Sequence, residues 1–554
     1  VLVGAIGGLG AVVFRYLIQL AQELFFSDLL PRGPGHYFVV LLPIIGGLII
    51  GPLVYSLAPE ARGDGVPQIM EALHRRGGQI RKRVTLFITF ASAITLGSGG
   101  SAGREGPIAQ IGASLGSLVG QIFRLGPSEM KVLTACGVAA GIAGTFKAPM
   151  GGAIFSMEVV YRKFSPSDAV PILLSAVVGN AVALAFISPV PDFVNPRFIF
   201  TTSDLGLCFL LGPLFGILSG LWVRTYYFVE ELFRRMPIRD PLKPAVGGIL
   251  AGISGLYFLD YGIMGVGYEG INNIFDMVST DTSPQILMLL ITLSLVKVLA
   301  TSSTVGSGGS GGLFAPTLYI GTMLGVAFGI VVTWAFPGMV AQPSAYGLLG
   351  MGAFFAGAAR APLTCIVMIP EMASNYSRLP PLIIACILSA AVAQMILKGG
   401  SIYTIRLMKR GIYLDQPQPV LGGITIGEAM NRDVVTVPPQ MTILQVREYI
   451  SDYNFTGYPV VEGGELRGMV TFDDVRKVPP DRQGETLVKN IGIKKVITVY
   501  PDQSVKYAMD MMYNNGIGRL PVVTRADPRK LEGIITRTDV IKAYEDRIRE
   551  DTGK

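Results

Sequence analysis

The sequence predicts an all-α polytopic membrane domain built from two repeated halves with broken helices, followed by a smaller soluble α/β domain. Three observations carry this. Half of the 554 residues are hydrophobic and only 15% are charged, with a mean hydropathy of +0.50, which belongs to the membrane class. The charge is unevenly placed: residues 1–420 hold 27 Lys/Arg and 20 Asp/Glu, whereas the much shorter stretch 421–554 holds 19 of each. Finally, one glycine-rich tract occurs twice. Gly97-Ser98-Gly99-Gly100-Ser101-Ala102-Gly103-Arg104-Glu105-Gly106-Pro107 returns 209 positions later as Gly306-Ser307-Gly308-Gly309-Ser310-Gly311-Gly312-Leu313-Phe314-Ala315-Pro316, with seven of eleven positions identical.

Each tract interrupts an apolar stretch and ends in a proline suited to the first turn of a helix. Irregular backbone inside a bilayer survives only where protein or a watery cavity shields it. A matched pair of such breaks in two halves marks a transport site at a repeat interface. A second match supports the duplication: Ala143-Gly144-Thr145-Phe146-Lys147-Ala148-Pro149 aligns with Ala356-Gly357-Ala358-Ala359-Arg360-Ala361-Pro362 at an offset of 213, which also places Glu158 on Glu371. Letters alone do not separate parallel from inverted repeats. The expected membrane domain spans 1–415, with repeats of about 1–235 and 236–415.

Helical segments are expected at roughly 1–26, 37–57, 84–96, 105–124, 129–145, 149–161, 168–188, 203–233, 243–260, 284–301, 314–335, 345–358, 361–372 and 379–398. Several fall short of the ~20 residues a bilayer requires. They read as half-helices whose N-termini meet at an anion near the midplane. Three basic clusters orient the chain: Arg75, Arg76, Arg81, Lys82 and Arg83; Arg234, Arg235, Arg239 and Lys243; and Lys409 with Arg410. The positive-inside rule puts all three, and the tail, on the cytoplasmic side of a multi-pass cell-membrane protein. The pI near 9.1 then reflects basic loops, and no nucleic-acid partner is expected.

Cys136, Cys208, Cys365 and Cys386 each lie in an apolar run without partner spacing, and read as buried small residues. His36 and His74 stand far apart, so no metal site of the usual kinds is expected. The chain opens at Val1 inside an apolar run, so native sequence is expected to precede it. Residues 399–423 read as a linker ending in Asp415, Pro417, Pro419 and Gly422.

The tail, expected over 424–545 in units of about 424–478 and 486–545, is itself duplicated. Thr456-Gly457-Tyr458-Pro459-Val460-Val461 pairs with Gly518-Arg519-Leu520-Pro521-Val522-Val523, and Leu466 to Thr471 with Asp474 pairs with Leu531 to Thr536 with Asp539. Each unit is expected to open with a short strand before Pro438 or Pro501.

These motifs together resemble the ClC family of chloride channels and chloride/proton exchangers over nearly all of residues 1–420, and the tail resembles the paired CBS modules of many members. Gly103-Arg104-Glu105-Gly106-Pro107 is similar to the motif that carries the family's gating glutamate. Gly312-Leu313-Phe314-Ala315-Pro316 is similar to its anion-site motif, Tyr403 in Ser401-Ile402-Tyr403-Thr404 to its inner-gate tyrosine, and Gly63-Asp64-Gly65-Val66-Pro67 to its first site motif. The resemblance implies an anion site formed by Asp64, Gly65, Arg104, Gly106, Leu313, Phe314 and Tyr403, with Glu105 and Tyr403 as gates. It also implies chloride and similar anions as cargo, no cofactor, no enzymatic activity and a homodimer with one pathway per subunit.

The physical reading stands beside the resemblance. An anion in lipid needs donors, yet full positive charges would trap it; amides at helix N-termini offer partial charge that binds and releases. Leu313 and Phe314 would contribute amides, and Tyr403 a hydroxyl. An acid inside a membrane domain marks function, and the Glu105 carboxylate can occupy the anion's own site until a proton or competing anion displaces it.

Two departures matter. Asp64 stands where many members carry serine. An ionised carboxylate there is turned away, paired, protonated or alters anion preference; a capping turn residue is the remaining alternative. Val159 stands where exchangers usually carry an inner proton-relay glutamate, one position after Glu158. Valine carries no proton, so the sequence favours a passive gated channel, with chloride/proton exchange as the alternative and Glu158 as a substitute relay. In the tail, Thr471 with Asp474 and Thr536 with Asp539 match a CBS pattern that implies ATP, ADP or AMP binding, although Thr-x-x-Asp is also an ordinary helix start. A membrane-anchored adenine-nucleotide sensor is the competing reading of another class.

Overall fold

Long apolar runs must fold as helices in lipid, because no water is present to satisfy the backbone. The computed structural model, which describes residues 1–29, 36–188, 202–337, 342–376, 379–412, 414, 424–453, 455–491 and 496–552, is accordingly helical through its first unit, Val1–Leu414. The helices are α1 (Leu2–Gln22), α2 (Leu41–Leu57), α3 (Val66–Arg75), α4 (Arg83–Gly97), α5 (Glu105–Ile122), α6 (Pro127–Phe146), α7 (Pro149–Phe155) and α8 (Pro166–Leu184). They continue as α9 (Thr202–Arg235), α10 (Lys243–Phe258), α11 (Tyr268–Thr280), α12 (Pro284–Gly306), α13 (Phe314–Ala335), α14 (Ala345–Ala359), α15 (Pro362–Met372), α16 (Leu379–Ile396) and the short α17 (Ile405–Met408).

Among the described residues, eight helices are long and apolar enough to cross a membrane. Their outward faces carry large apolar side chains, such as Phe228, Met288 and Leu295, while hydroxyls of Ser101, Thr301 and Ser310 lie buried inside. This inversion suits a lipid-facing surface, with polar groups pairing between helices. Besides the short α17, which falls in the expected linker, two helices escaped the sequence reading. α3 presents Gln68, Glu71 and His74 along one side and α11 presents Glu269, Asn272, Asn273 and Asp276, so both lack the unbroken apolar character that hydropathy detects. The expected linker residues Asp415, Pro417, Pro419 and Gly422 lie outside the described residues.

The two halves are joined by bonds that repeat under exchange. Gly103 and Gly312, 209 apart, donate to each other's carbonyls at 2.7 Å in both directions. The Ser101 amide donates to Thr304 Oγ1 at 3.2 Å, and its counterpart, the Ser310 amide, donates to Thr95 Oγ1 at 3.3 Å. Ser101 pairs with Thr301 at 3.0 Å, and Ser310 with Ser92 at 2.7 Å. At the other offset, the Glu158 carboxylate accepts from the Leu363 and Thr364 amides at the start of α15 (3.1 and 2.6 Å). Glu371 accepts from the Met150 and Gly151 amides at the start of α7 (3.1 and 2.7 Å). Reciprocal bonds of this kind follow from a two-fold relation between halves; a simple translation would not return them.

The second unit, Asp415–Lys554, holds two antiparallel hairpins, β1 (Gly457–Glu462) with β2 (Glu465–Thr471) and β3 (Arg519–Val523) with β4 (Leu531–Thr536). Helices α18 (Ile426–Ala429), α19 (Ile443–Tyr453), α20 (Phe472–Arg476), α21 (Val505–Asn514) and α22 (Arg537–Thr552) flank them. The strands expected before Pro438 and Pro501 shrink to single parallel bridges, Val437 to Val460 and Val499 to Val522. Proline has no N–H to extend the ladder.

Removing one interlocking acid takes the charged acceptor from two helix-start amides, and a hydrogen bond to a charged group contributes about 1.5–3 kcal/mol. Glu371→Ala therefore lowers the thermal unfolding temperature of the detergent-solubilised protein. An unchanged midpoint contradicts the cross-cap.

Candidate functional site

Three glycine-containing turns meet where the halves join. Besides the Gly103–Gly312 pair, the Gly63 amide donates to the Gly309 carbonyl at 3.0 Å, and the Gly311 amide donates to the Gly63 carbonyl at 3.1 Å. The starts of α3, α5 and α13 are thereby brought together. Gly65 lies at φ +94°, in the left-handed region that favours glycine. Gly106 packs so closely on the Asp64 carbonyl that a Cβ would collide with it.

Asp64, 3% exposed, joins two of these helix starts. Its Oδ1 accepts from the Val66 amide at 3.1 Å and its Oδ2 from the Leu313 amide at 2.7 Å. Of the alternatives left open by the sequence, the structure thus has Asp64 both capping its own helix and paired across the chain. The Leu313 amide, expected to face an anion, faces a carboxylate of the protein itself.

Glu105, 1% exposed, opens α5. The Tyr268 hydroxyl donates to its Oε1 at 3.1 Å, and its own amide, the Ala315 amide and Arg104 also face the carboxylate. The Arg104 guanidinium stacks between Phe146 and Tyr268, 5.6 and 5.3 Å from the ring centres. Tyr268 is held in turn by Lys297 through the loop before it. That ammonium, buried within α12, donates to the carbonyls of Gly262, Ile263 and Gly265 at 3.0, 3.0 and 3.1 Å. Sequence reasoning missed both residues. Lys297 carried a signal, a lone cation within a long apolar helix; Tyr268 carried none.

Tyr403 is buried and within electrostatic reach of both Asp64 and Glu105. Its loop is pinned by the Ile402 amide on the Ala358 carbonyl (2.8 Å) and by the Tyr227 hydroxyl on the Ile402 carbonyl (2.7 Å). Phe314 keeps its ring in an aromatic cluster with Phe146, Phe155 and Phe355, so its amide is the polar group it offers. Beside this region lies a cavity of about 790 Å³ lined by Arg62, Arg234, Lys243, Arg406, Lys409 and Arg410, among others. A second, of about 490 Å³, adds Arg76, Arg81 and Arg83. Members of all three basic clusters therefore border adjoining cavities, and Arg406 lines both.

The family model described as "Voltage gated chloride channel" matches residues 46–394. The chain belongs to this family. It is an integral membrane protein of the ClC type, and CBS domain models match 426–481 and 488–546. A "Putative chloride channel protein ClcB-like" of Ralstonia nicotianae is 32% identical over 70% of this chain and 90% of its own length. An "H(+)/Cl(-) exchange transporter ClcA" of Vibrio parahaemolyticus is 32% identical over 75% of this chain and 88% of its own. Among solved structures, a slow cyanobacterial Cl−/H+ antiporter is 26% identical, with a TM-score of 0.65, over 74% of this chain and 96% of that one. A eukaryotic CLC transporter, 22% identical with a TM-score of 0.64, covers 97% of this chain and 96% of its own and shares its fold.

Within this ClC framework, Val159 is buried in the apolar core, and Glu158 is engaged at the start of α15, with Thr364 Oγ1 donating a further bond at 2.7 Å. In the tail, Thr536 and Asp539 border a pocket of about 370 Å³ together with Asp433, Phe455, Gly457 and Arg519. Both Thr–Asp pairs form helix-capping bonds: Thr471 Oγ1 and Thr536 Oγ1 each donate at 2.7 Å to Asp474 and Asp539. Thr471 and Asp474 are not among the lining residues of that pocket.

A hydrogen bond to a charged group contributes about 1.5–3 kcal/mol, so Tyr268→Phe weakens the hold on Glu105. Chloride efflux from reconstituted liposomes at neutral pH is expected to rise several-fold. Efflux equal to that of the native protein removes Tyr268 from the gate.

Proposed function

We propose that this chain moves chloride across the membrane in exchange for protons, with Glu105 as the gate that both ions must displace or load. One observation carries the reading: a buried carboxylate stands at the start of α5, beside its own amide and the Ala315 amide of the opposite repeat. When the carboxylate is charged it competes with chloride for the same donors; when protonated it releases them. Coupling follows, because the entry of the ion and the loading of the proton are two ways of vacating one site. Amides of Gly106, Leu313 and Phe314, the turn at Asp64–Gly65, Arg104 and the Tyr403 hydroxyl complete the pathway in this reading.

Exchange replaces the channel expectation drawn from Val159. The Vibrio relatives are named as exchangers at 32–33% identity, and the 26%-identical solved structure is an antiporter. Glu158, occupied as a helix cap, is not used as the substitute relay. The dimer implied by the family belongs to the same proposal.

For the tail, we propose that the pocket beside Thr536 and Asp539 takes an adenine nucleotide. Its volume suits a nucleoside phosphate, Arg519 and Arg537 line it as cations for phosphate, and Asp539 would hold the ribose. Thr471 and Asp474 would then serve as a helix start.

Purified protein in liposomes, given an outward chloride gradient, is expected to drive protons inward against their own gradient. Chloride movement with no coupled proton movement returns the channel reading. Glu105→Gln is expected to keep chloride flux and lose coupling. Calorimetry of the full-length protein with ATP, ADP and AMP is expected to show binding that Asp539→Ala weakens at least several-fold; no heat with any of the three retires the nucleotide site.

A further inference from the structure

We infer that Asp64 is a second tethered carboxylate in the anion path, seated on the Leu313 amide that a transported anion must use, so that each passing ion displaces two carboxylates in series. The inference rests on the pathway proposed above and gives the Asp64 side chain a role in it.

The geometry is specific. The carboxylate spans two helix starts drawn from opposite repeats, α3 through Val66 and α13 through Leu313. An amide at a helix start binds a carboxylate and a halide by the same partial charge. With Asp64 on it, the Leu313 amide is taken. The Val66 bond, two residues along the chain, caps α3, the helix that Asp64 precedes. The Leu313 bond, 249 residues away in sequence, serves no helix that Asp64 begins.

The surroundings favour a carboxylate that can change its charge or its place. Glu105 of α5, Arg406 of α17, Tyr226 and Tyr227 of α9, and Tyr403 of the loop before α17 all lie within electrostatic reach of it. Arg406 is itself paired with Glu230 at 2.8 Å and lines both basic cavities. Asp64 is thus within electrostatic reach of both the cation at the cavity wall and the gate at Glu105. If one proton binds Asp64 as one chloride takes the Leu313 amide, the charge of the site is unchanged. One negative charge is neutralised as another arrives. This supplies a proton acceptor besides Glu105, where Val159 and the engaged Glu158 offer none.

The test uses purified full-length protein with Asp64→Asn, Asp64→Ser and Glu105→Gln. Chloride binding is measured by calorimetry at neutral pH, and chloride flux from liposomes is followed against pH. If the tethered carboxylate leaves a tenth of the sites open, freeing them raises apparent affinity about tenfold, and that gain is expected for Asp64→Asn and Asp64→Ser. Acid is expected to speed native flux with a log–log slope approaching about two, as coupled carboxylates give, falling toward about one in Asp64→Asn. Should Asp64→Ser fail to fold, Asp64→Asn keeps the shape and carries the test. Unchanged or weakened chloride affinity together with an unchanged slope, alongside a Glu105→Gln variant that has lost coupling, overturns this inference and leaves the pathway standing. A Glu105→Gln variant indistinguishable from the native protein overturns both.

Discussion

The paired amide–carbonyl bonds between Gly103 and Gly312 are the contact on which the membrane unit depends. Each broken span would otherwise carry bare N–H and C=O groups into lipid, at a cost of several kcal/mol for each group left unsatisfied. The halves solve the problem for each other. Hydroxyls of Ser92, Thr95, Thr301 and Thr304 extend the same bargain outward. Once the spans are clasped, the helix starts behind them must converge, and a site for negative charge is a by-product of that packing.

That convergence explains why the occupants of the site are carboxylates. Where amide dipoles of three helices gather, a negative group is stabilised, and the chain supplies two, Asp64 and Glu105. The cationic groups keep a small distance. Arg104 lies stacked between aromatic rings, Arg406 is tied to Glu230, and Lys297 is caged by three carbonyls. In the pathway proposed, partial charges would hold an ion briefly and let it go.

Much of this was legible in the letters, for reasons that differ residue by residue. The breaks at Gly97–Pro107 and Gly306–Pro316 declared themselves because glycine and proline punctuate apolar runs. Glu105 stood out as an acid in such surroundings. α3 and α11 were missed because their polar sides mimic loops. The partnership of Asp64 with Leu313 was not readable at all, since nothing local encodes a bond between turns so remote in sequence. The offset between Glu158 and Glu371 was visible, but not that each serves the other's half, because a linear repeat carries no symmetry operator. Val159 alone decides little about mechanism: one missing acid points toward a channel, whereas relatives named as exchangers favour the alternative reading.

The crossed acids also bear on how such a molecule is made. Glu371 is synthesised long after α7, whose first amides it receives, so the early half emerges from the ribosome with that helix start unfinished. A gene fragment encoding the early half alone would yield a product lacking part of its own closure. Duplication has therefore left two similar sequences that are no longer separable units, and the assembly of one is completed by the other.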